Sequence, residues 1–170
     1  HLRLVLSMDV SNSRVSRLIL GGEDLKTELC HQARQAFANG IALYNEYGPT
    51  EAVVGCMIHC FDPKTDTGSS VAIGKPAANT GIYILDAGLN PVPAGVAGEM
   101  YINRPGLAKG YLGREDLTSQ SFIDDPFVSG QRMYKTGDLA RFRSNGVMEF
   151  LGRADHQVKI RGVRIEPAEI

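Results

Sequence analysis

Asn45-Glu46-Tyr47-Gly48-Pro49-Thr50-Glu51 sets a hydroxyl and a carboxylate, those of Thr50 and Glu51, directly after a turn stiffened by glycine and proline. Glycine admits backbone angles that other residues resist and proline fixes its own φ, so the turn can hold the next two side chains still. A hydroxyl beside a carboxylate suits a phosphate oxygen and a hard cation such as magnesium, which takes oxygen ligands. Further on, Tyr134-Lys135-Thr136-Gly137-Asp138-Leu139 offers an acidic side chain after a Thr-Gly turn, suited to accept hydrogen bonds from a ribose diol. Gly152-Arg153-Ala154-Asp155 adds an arginine, the residue best shaped for phosphate or sugar oxygens. Each segment also has a plain structural reading. Gly-Pro-Thr-Glu can be a helix start with Thr50 as N-cap, and Thr-Gly-Asp an ordinary hairpin turn. Taken together, they describe a nucleotide site assembled from distant parts of the chain.

The elements that must position these residues follow from hydrophobic periodicity. Leu18-Ile19-Leu20 is a short apolar run ending in Gly21-Gly22, the form of a buried parallel strand. From Glu23 to Ala38, apolar residues at Leu25, Leu29, Ala33, Ala36 and Phe37 keep close to helical spacing. Ile41 to Tyr44 reads as the next strand, so the opening is a β-α-β unit of an α/β sheet. After Asp62 the texture changes to short alternating strands divided by Gly and Pro, at Gly81–Leu85, Gly98–Ile102, Arg132–Phe142 and Val147–Leu151. Turn signals separate them, and a helix is expected around Glu115–Ser121. The expected fold class is α/β plus a small β-barrel. The expected division is residues 1–61 as the end of an α/β sheet subdomain, 62–154 as a β-barrel subdomain, and 155–170 as a hinge and the start of a further small domain.

Composition excludes several function classes. The 170 residues are 43% apolar with a formal net charge of −1, so a basic surface for nucleic acid or anionic lipid is not expected. No apolar run is long enough to span a bilayer and no secretory signal pattern opens the chain. The three cysteines, Cys30, Cys56 and Cys60, are an odd count that fits a reducing cytoplasm better than a disulfide framework. Cys56, His59 and Cys60 lack a second ligand pair, and no structural metal is assigned to them.

The order and spacing of the motifs, with Gly98-Glu99-Met100-Tyr101-Ile102 and Ala108-Lys109-Gly110-Tyr111-Leu112 between them, carry a resemblance. From about Arg17 to Ile170 the chain resembles part of the adenylation domain of a nonribosomal peptide synthetase. That domain belongs to the adenylate-forming superfamily with acyl-CoA synthetases and firefly luciferase. The resemblance implies the C-terminal part of the large N-terminal subdomain, ending just after the hinge. It implies ATP and magnesium, and the phosphopantetheine arm of a carrier domain as acceptor. Thr50 would contact the α-phosphate and Glu51 would hold the magnesium ion. Asn45 would hydrogen-bond the adenine amino group and Tyr47 would pack on the ring. Asp138 would bind the ribose hydroxyls with Arg153 in support, and Phe150 stands near the nucleotide or serves only the strand core. Asp155 matches the hinge, while Lys159, Arg161 and Gly162 match the loop lining the pantetheine channel.

Among the family's substrate-pocket positions, Ile19, Gly21, Glu46, Val54 and Gly55 align here. The two glycines leave space, Ile19 and Val54 give apolar walls, and Glu46 is the one polar group, an acceptor when ionised. This set resembles asparagine-activating pockets, with aspartate and glutamine behind. Thr67-Gly68-Ser69-Ser70 loosely resembles the family's phosphate loop. It follows the Gly-Pro-Thr-Glu segment instead of preceding it, so it reads as a solvated loop leading into a strand. The true phosphate loop is expected before His1, and the family's late lysine beyond Ile170, so the fragment alone is expected to be inactive. Expected partners are the amino acid, a carrier domain, the rest of a parent synthetase and an MbtH-like activator. An acyl- or aryl-CoA ligase fragment and a non-catalytic docking platform remain open as alternatives.

Overall fold

The computed structural model describes residues 1–155, 157–160 and 163–165. Strand β1 (Arg17–Gly21) pairs in parallel with β2 (Ala42–Tyr47), and helix α2 (Thr27–Ala36) connects them. A short helix α1 (Leu2–Leu6) precedes this unit. The helix was expected from Glu23, but residues before Thr27 stay out of it. Gly22 turns the chain with φ +87° and Lys26 is extended. Cys30 and Ala33 of α2 meet Leu43, Phe61 and Val71 in a core sealed by Leu2, Leu25 and Phe37. The β-α-β expectation therefore holds, with a shorter helix.

Two antiparallel strands, β3 (Met57–Cys60) and β4 (Lys75–Pro76), complete the first sheet in the order β1-β2-β3-β4. The second sheet is antiparallel throughout. Its strands are β5 (Gly81–Leu85), β6 (Gly98–Asn103), β7 (Phe122–Asp124), β8 (Arg132–Phe142) and β9 (Met148–Arg153). Their order is β5-β6-β8-β7, with β9 paired to the later half of β8. Helix α3 (Glu115–Ser121) leads into β7. A hairpin of β10 (Val158–Ile160) and β11 (Val163–Ile165) follows. This is the α/β plus small β-barrel class that the sequence pattern calls for.

One core joins the two parts. Met57 of β3 and Cys56 just before it pack with Ile84, Met100, Ile102, Ala140 and Met148 from the second sheet. Backbone bonds add to the join, because Ile73 N–H donates to Met148 O and Met148 N–H to Gly74 O. An ionic knot lies beside it. Asp66, 1% exposed, accepts from Asp62 N–H at 3.0 Å, while His59 Nε2 lies 2.8 Å and Arg143 Nη1 3.4 Å from its oxygens.

Removing one partner of such a buried cluster leaves the others without their acceptor. Asp66→Ala is expected to lower unfolding free energy by about 3 kcal/mol, read as a lower urea midpoint at unchanged slope. Asp66→Asn, which keeps an acceptor for Asp62 N–H, should lose less.

Candidate functional site

β1 and β2 deliver their carboxyl ends side by side, with Leu20 opposite Asn45 and Gly21 opposite Glu46. In open α/β sheets the crevice beyond these ends is where ligands bind. Two adjoining cavities lie there, of about 590 and 400 Å³, and both are lined by Glu46, Tyr47, Gly48, Asp138 and Arg153. The second sheet supplies the facing wall through β8 and β9.

Asp138 sits at the junction, 4% exposed. The Tyr47 hydroxyl donates to its Oδ2 and Arg153 Nη1 donates to its Oδ1 at 2.8 Å. Arg153 also donates from Nη1 to Thr136 O at 2.8 Å, and its Nε and Nη2 grip both oxygens of Asp155. Burial works against the guanidinium charge, but the carboxylates of Asp155 and Asp138 outweigh it and hold Arg153 firmly protonated. Burial, reinforced by the Asp138 charge, pushes the Tyr47 phenol well above its ordinary value, so it serves as a neutral donor. The backbone makes room for this arrangement. Gly137 has φ +71°, and a Cβ there would come within 2.7 Å of Arg153 Nη2 and 2.9 Å of Asp155 Oδ2.

Asn45 is buried in the wall of the larger cavity. Its Nδ2 donates to Val71 O at 3.2 Å and Ala72 O at 3.0 Å. Two carbonyls can face only the NH2 end of the amide, so the Oδ1 acceptor is turned the other way. Phe150 also lines this cavity.

Gly21, Glu46, Thr50 and Val54 line the smaller cavity. Glu51 lies behind Thr50, largely buried, with Oε1 accepting from the Tyr111 hydroxyl at 2.7 Å. Its carbonyl accepts from Ala108 N–H at 2.8 Å, so the 108–111 loop wraps it. Thr50 does not act as N-cap. Pro49 takes that place and Thr50–Ala52 form a single 3-10 turn. Ile19 and Gly55 do not line either cavity. Ile19 is 63% exposed on β1. The open space over Gly55 is already filled by the Glu46 carboxylate, which a Cβ at Gly55 would strike. Lys159 lies in β10, opposite Arg164. Arg161 and Gly162 lie outside the described residues.

Sequence reasoning missed two segments. Gly22–Asp24 and Gly68–Ile73 both line the larger cavity, so Gly68–Ser70, expected as a solvated loop, instead forms part of its wall. The two are stitched together by Val71 N–H to Leu25 O at 2.8 Å, Thr27 Oγ1 to Gly68 O at 2.7 Å, and Ser70 Oγ to Asp24 Oδ2 at 2.8 Å. A glycine pair closing a parallel strand was the available signal for the first segment. The second carried only the loose phosphate-loop resemblance of Thr67–Ser70, and its role depends on pairing across more than forty residues.

The Asn45 amide lines the larger cavity and the Thr50 hydroxyl the smaller, while the Asp138 and Glu46 carboxylates line both. No group of three or more His, Cys, Asp or Glu converges among the described residues. Cys56 lies in the shared core, its thiol pushed up to about 11 chiefly by burial. Glu51, the expected magnesium ligand, lines neither cavity: it is buried beneath the turn with Oε1 held by the Tyr111 hydroxyl. A single carboxylate is still compatible in type with magnesium, which keeps several waters and needs only one or two protein carboxylates.

Comparison with known proteins identifies the family and the fold. The sequence pattern of the family described as AMP-binding enzyme matches residues 3–112. Bacitracin synthase 3 of Bacillus licheniformis is 57% identical over all of this chain, which covers 3% of that protein. Enterobactin synthase component F of Escherichia coli K12 is 50% identical over 94% of this chain, which covers 12% of it. PA1221, a solved nonribosomal peptide synthetase protein with adenylation and PCP domains, superposes with a TM-score of 0.87 at 30% identity. That superposition covers 96% of this chain and 34% of PA1221. The Vibrio cholerae adenylation domain AlmE, solved with glycyl-adenosine-5'-phosphate, gives 0.86 at 30% identity, covering 99% of this chain and 32% of AlmE. Motifs, fold and family match converge: this chain belongs to the AMP-binding enzyme family, and the part of the fold it builds is that of a nonribosomal peptide synthetase adenylation domain.

Proposed function

We propose that this chain is the nucleotide- and amino-acid-binding part of an adenylation domain that activates an amino acid with ATP. In this reading the amino acid carboxylate attacks the α-phosphorus, the bond to the bridging oxygen breaks, and pyrophosphate leaves with that electron pair. The product is an aminoacyl-adenylate, which then passes to the phosphopantetheine thiol of a carrier domain as a thioester. The observation that carries the reading is the pair of adjoining cavities meeting at Asp138 and Glu46.

Little covalent chemistry is asked of the protein, so positioning and charge neutralisation supply most of the acceleration. Asn45, its NH2 spent on two carbonyls, offers Oδ1 to the 6-amino group of adenine. Tyr47 flanks the base while its hydroxyl steadies Asp138. Asp138 retains lone pairs for the ribose diol beyond those engaged by Tyr47 and Arg153. Thr50 takes the α-phosphate. Glu51 would hold magnesium, which supplies neutralisation of phosphate charge. Asp155, gripped by Arg153, is the hinge, and Lys159, Arg161 and Gly162 serve the pantetheine channel.

The amino acid side chain occupies the smaller cavity, where Glu46 is its polar partner. A carboxylate acceptor selects a side chain that donates, and asparagine is the proposed substrate. The same acceptor repels a carboxylate and suits a fatty acyl chain poorly, which argues against an acyl-CoA ligase. The chain spans about a third of the length of the solved adenylation structures it matches, so activity is assigned to a complete domain containing it. A carrier domain, the remainder of a synthetase and an MbtH-like activator are the proposed partners. No helix among the described residues is long and apolar enough to cross a membrane, and a cytoplasmic setting is proposed.

Amino-acid-dependent ATP–pyrophosphate exchange on the complete domain is expected to peak with asparagine, and silence with every amino acid would remove the proposal. Glu46→Leu should lower kcat/KM for asparagine by roughly 10- to 100-fold, the loss of a hydrogen bond to a charged group. Wild-type protein should prefer ATP over 2'-deoxy-ATP, and Asp138→Asn should narrow that preference by about tenfold in calorimetric affinity.

A further inference from the structure

The turn that follows Thr50 is the most constrained stretch of backbone beside the cavities. Val53 and Val54 both have positive φ, +59° and +56°. Two consecutive β-branched residues in the left-handed region persist only where their surroundings impose it. Three contacts do so here. Gly48 passes so close to the Val54 carbonyl that a Cβ on it would overlap that oxygen. Val53 rests its Cγ2 against Gly106, where a Cβ would lie 3.1 Å away. Arg104, just past the end of β6, donates from one nitrogen, Nη1, to Ala52 O at 3.0 Å and Gly55 O at 3.2 Å.

Those two carbonyls flank the valines on either side, and a single cation holds both. Charge-assisted hydrogen bonds are the strong ones, and the guanidinium also cancels the repulsion between carbonyl dipoles drawn together by the tight turn. The turn's outward products are two pocket features. Val54 lines the smaller cavity. Gly55 lies directly under the Glu46 carboxylate and leaves it room. Arg104 lines neither cavity and comes from the second sheet, so it can act on a ligand only through the turn.

We propose that Arg104 is a positioning residue for amino-acid selectivity: it clamps the 52–55 turn so that Val54 stays in the pocket wall and Gly55 stays beneath Glu46. This rests on the reading of the smaller cavity as the amino-acid pocket. Without the clamp the valines relax toward ordinary backbone angles. Val54 then leaves the wall and Glu46 loses the cradle that aims it, while the adenine and ribose contacts, built on Asn45, Tyr47 and Asp138, stay as they are.

The test is ATP–pyrophosphate exchange on the complete adenylation domain containing this chain, for wild type, Arg104→Met and Arg104→Lys. Arg104→Met should raise KM for the preferred amino acid about tenfold, from loss of a charged donor, while KM for ATP moves by less than about twofold. The preference over the next-best amino acid should narrow by a similar factor. Arg104→Lys, which can still reach one carbonyl, should recover part of both. An unchanged preference in a folded Arg104→Met protein would overturn the proposal, and so would equal rises in both KM values, the mark of a merely structural role. Should Arg104→Met fail to fold, an unchanged preference in Arg104→Lys would overturn it. Absence of exchange in the wild type with any amino acid would instead remove the pocket reading, and the clamp with it.

Discussion

The site depends on a carboxylate that has been taken out of water. Asp138 is 4% exposed, and stripping solvent from an ionised carboxylate costs several kcal/mol unless donors replace it. The replacements come from two different sheets. Tyr47 reaches from the end of β2 and Arg153 from the end of β9, while Thr136 Oγ1 accepts from the Asp138 backbone N–H at 3.0 Å and itself donates to Met100 O at 2.7 Å. The α/β layer and the antiparallel layer are thus joined at the cavity by hydrogen bonds to one charge, as they are joined beneath it by the Cys56–Met57 packing. Loss of register in either sheet would strand that charge, so the fold and the site share a single point of failure.

A second constraint acts at the wall of the smaller cavity. Left-handed valines are each strained by about 1–3 kcal/mol, and a sequence under stability pressure alone would place glycine or asparagine there. Glycine would relieve the backbone but remove the side chain that Val54 presents to the smaller cavity. The strain is therefore local, and the contacts that sustain it come from Gly48, Gly106 and Arg104. Glu51 next door follows the same logic by a different means. Burial pushes the Tyr111 phenol upward, so it stays a neutral donor and fixes one carboxylate oxygen while the 108–111 loop covers the backbone.

Much of this was legible in the chain itself. The alternation at Gly81–Leu85 and Arg132–Phe142 and the helix at Glu115–Ser121 match the observed elements, because local periodicity and turn chemistry decide them. The start of α2 was misjudged because apolar spacing extends to Leu25, whereas that residue packs from a loop that pairs with Ser70. The line-up of Asn45, Tyr47, Asp138 and Arg153 on one cavity was readable only through motif order, since no local rule brings β2 to β8. What stayed hidden has a common cause. The 68–73 segment and Arg104 matter through what they touch across long separations, which no local pattern reports.

These features explain why the chemistry-bearing residues are scattered. The proposed reaction would need a base pocket, a sugar acceptor, a cation ligand and a shaped side-chain pocket, each aimed separately. No single turn can present four such groups in different directions. Asn45 and Tyr47 stand near the end of β2, Asp138 within β8 and Arg153 at the end of β9, so each has a rigid strand as its stem. Arg153 then has an additional consequence, because the same guanidinium holds Asp138 in the cavity and Asp155 just outside it. A displacement of Asp155 would therefore alter the hydrogen bonding of the residue that neutralises Asp138. The coupling needs no pathway through the core: it is two carboxylates sharing one cation.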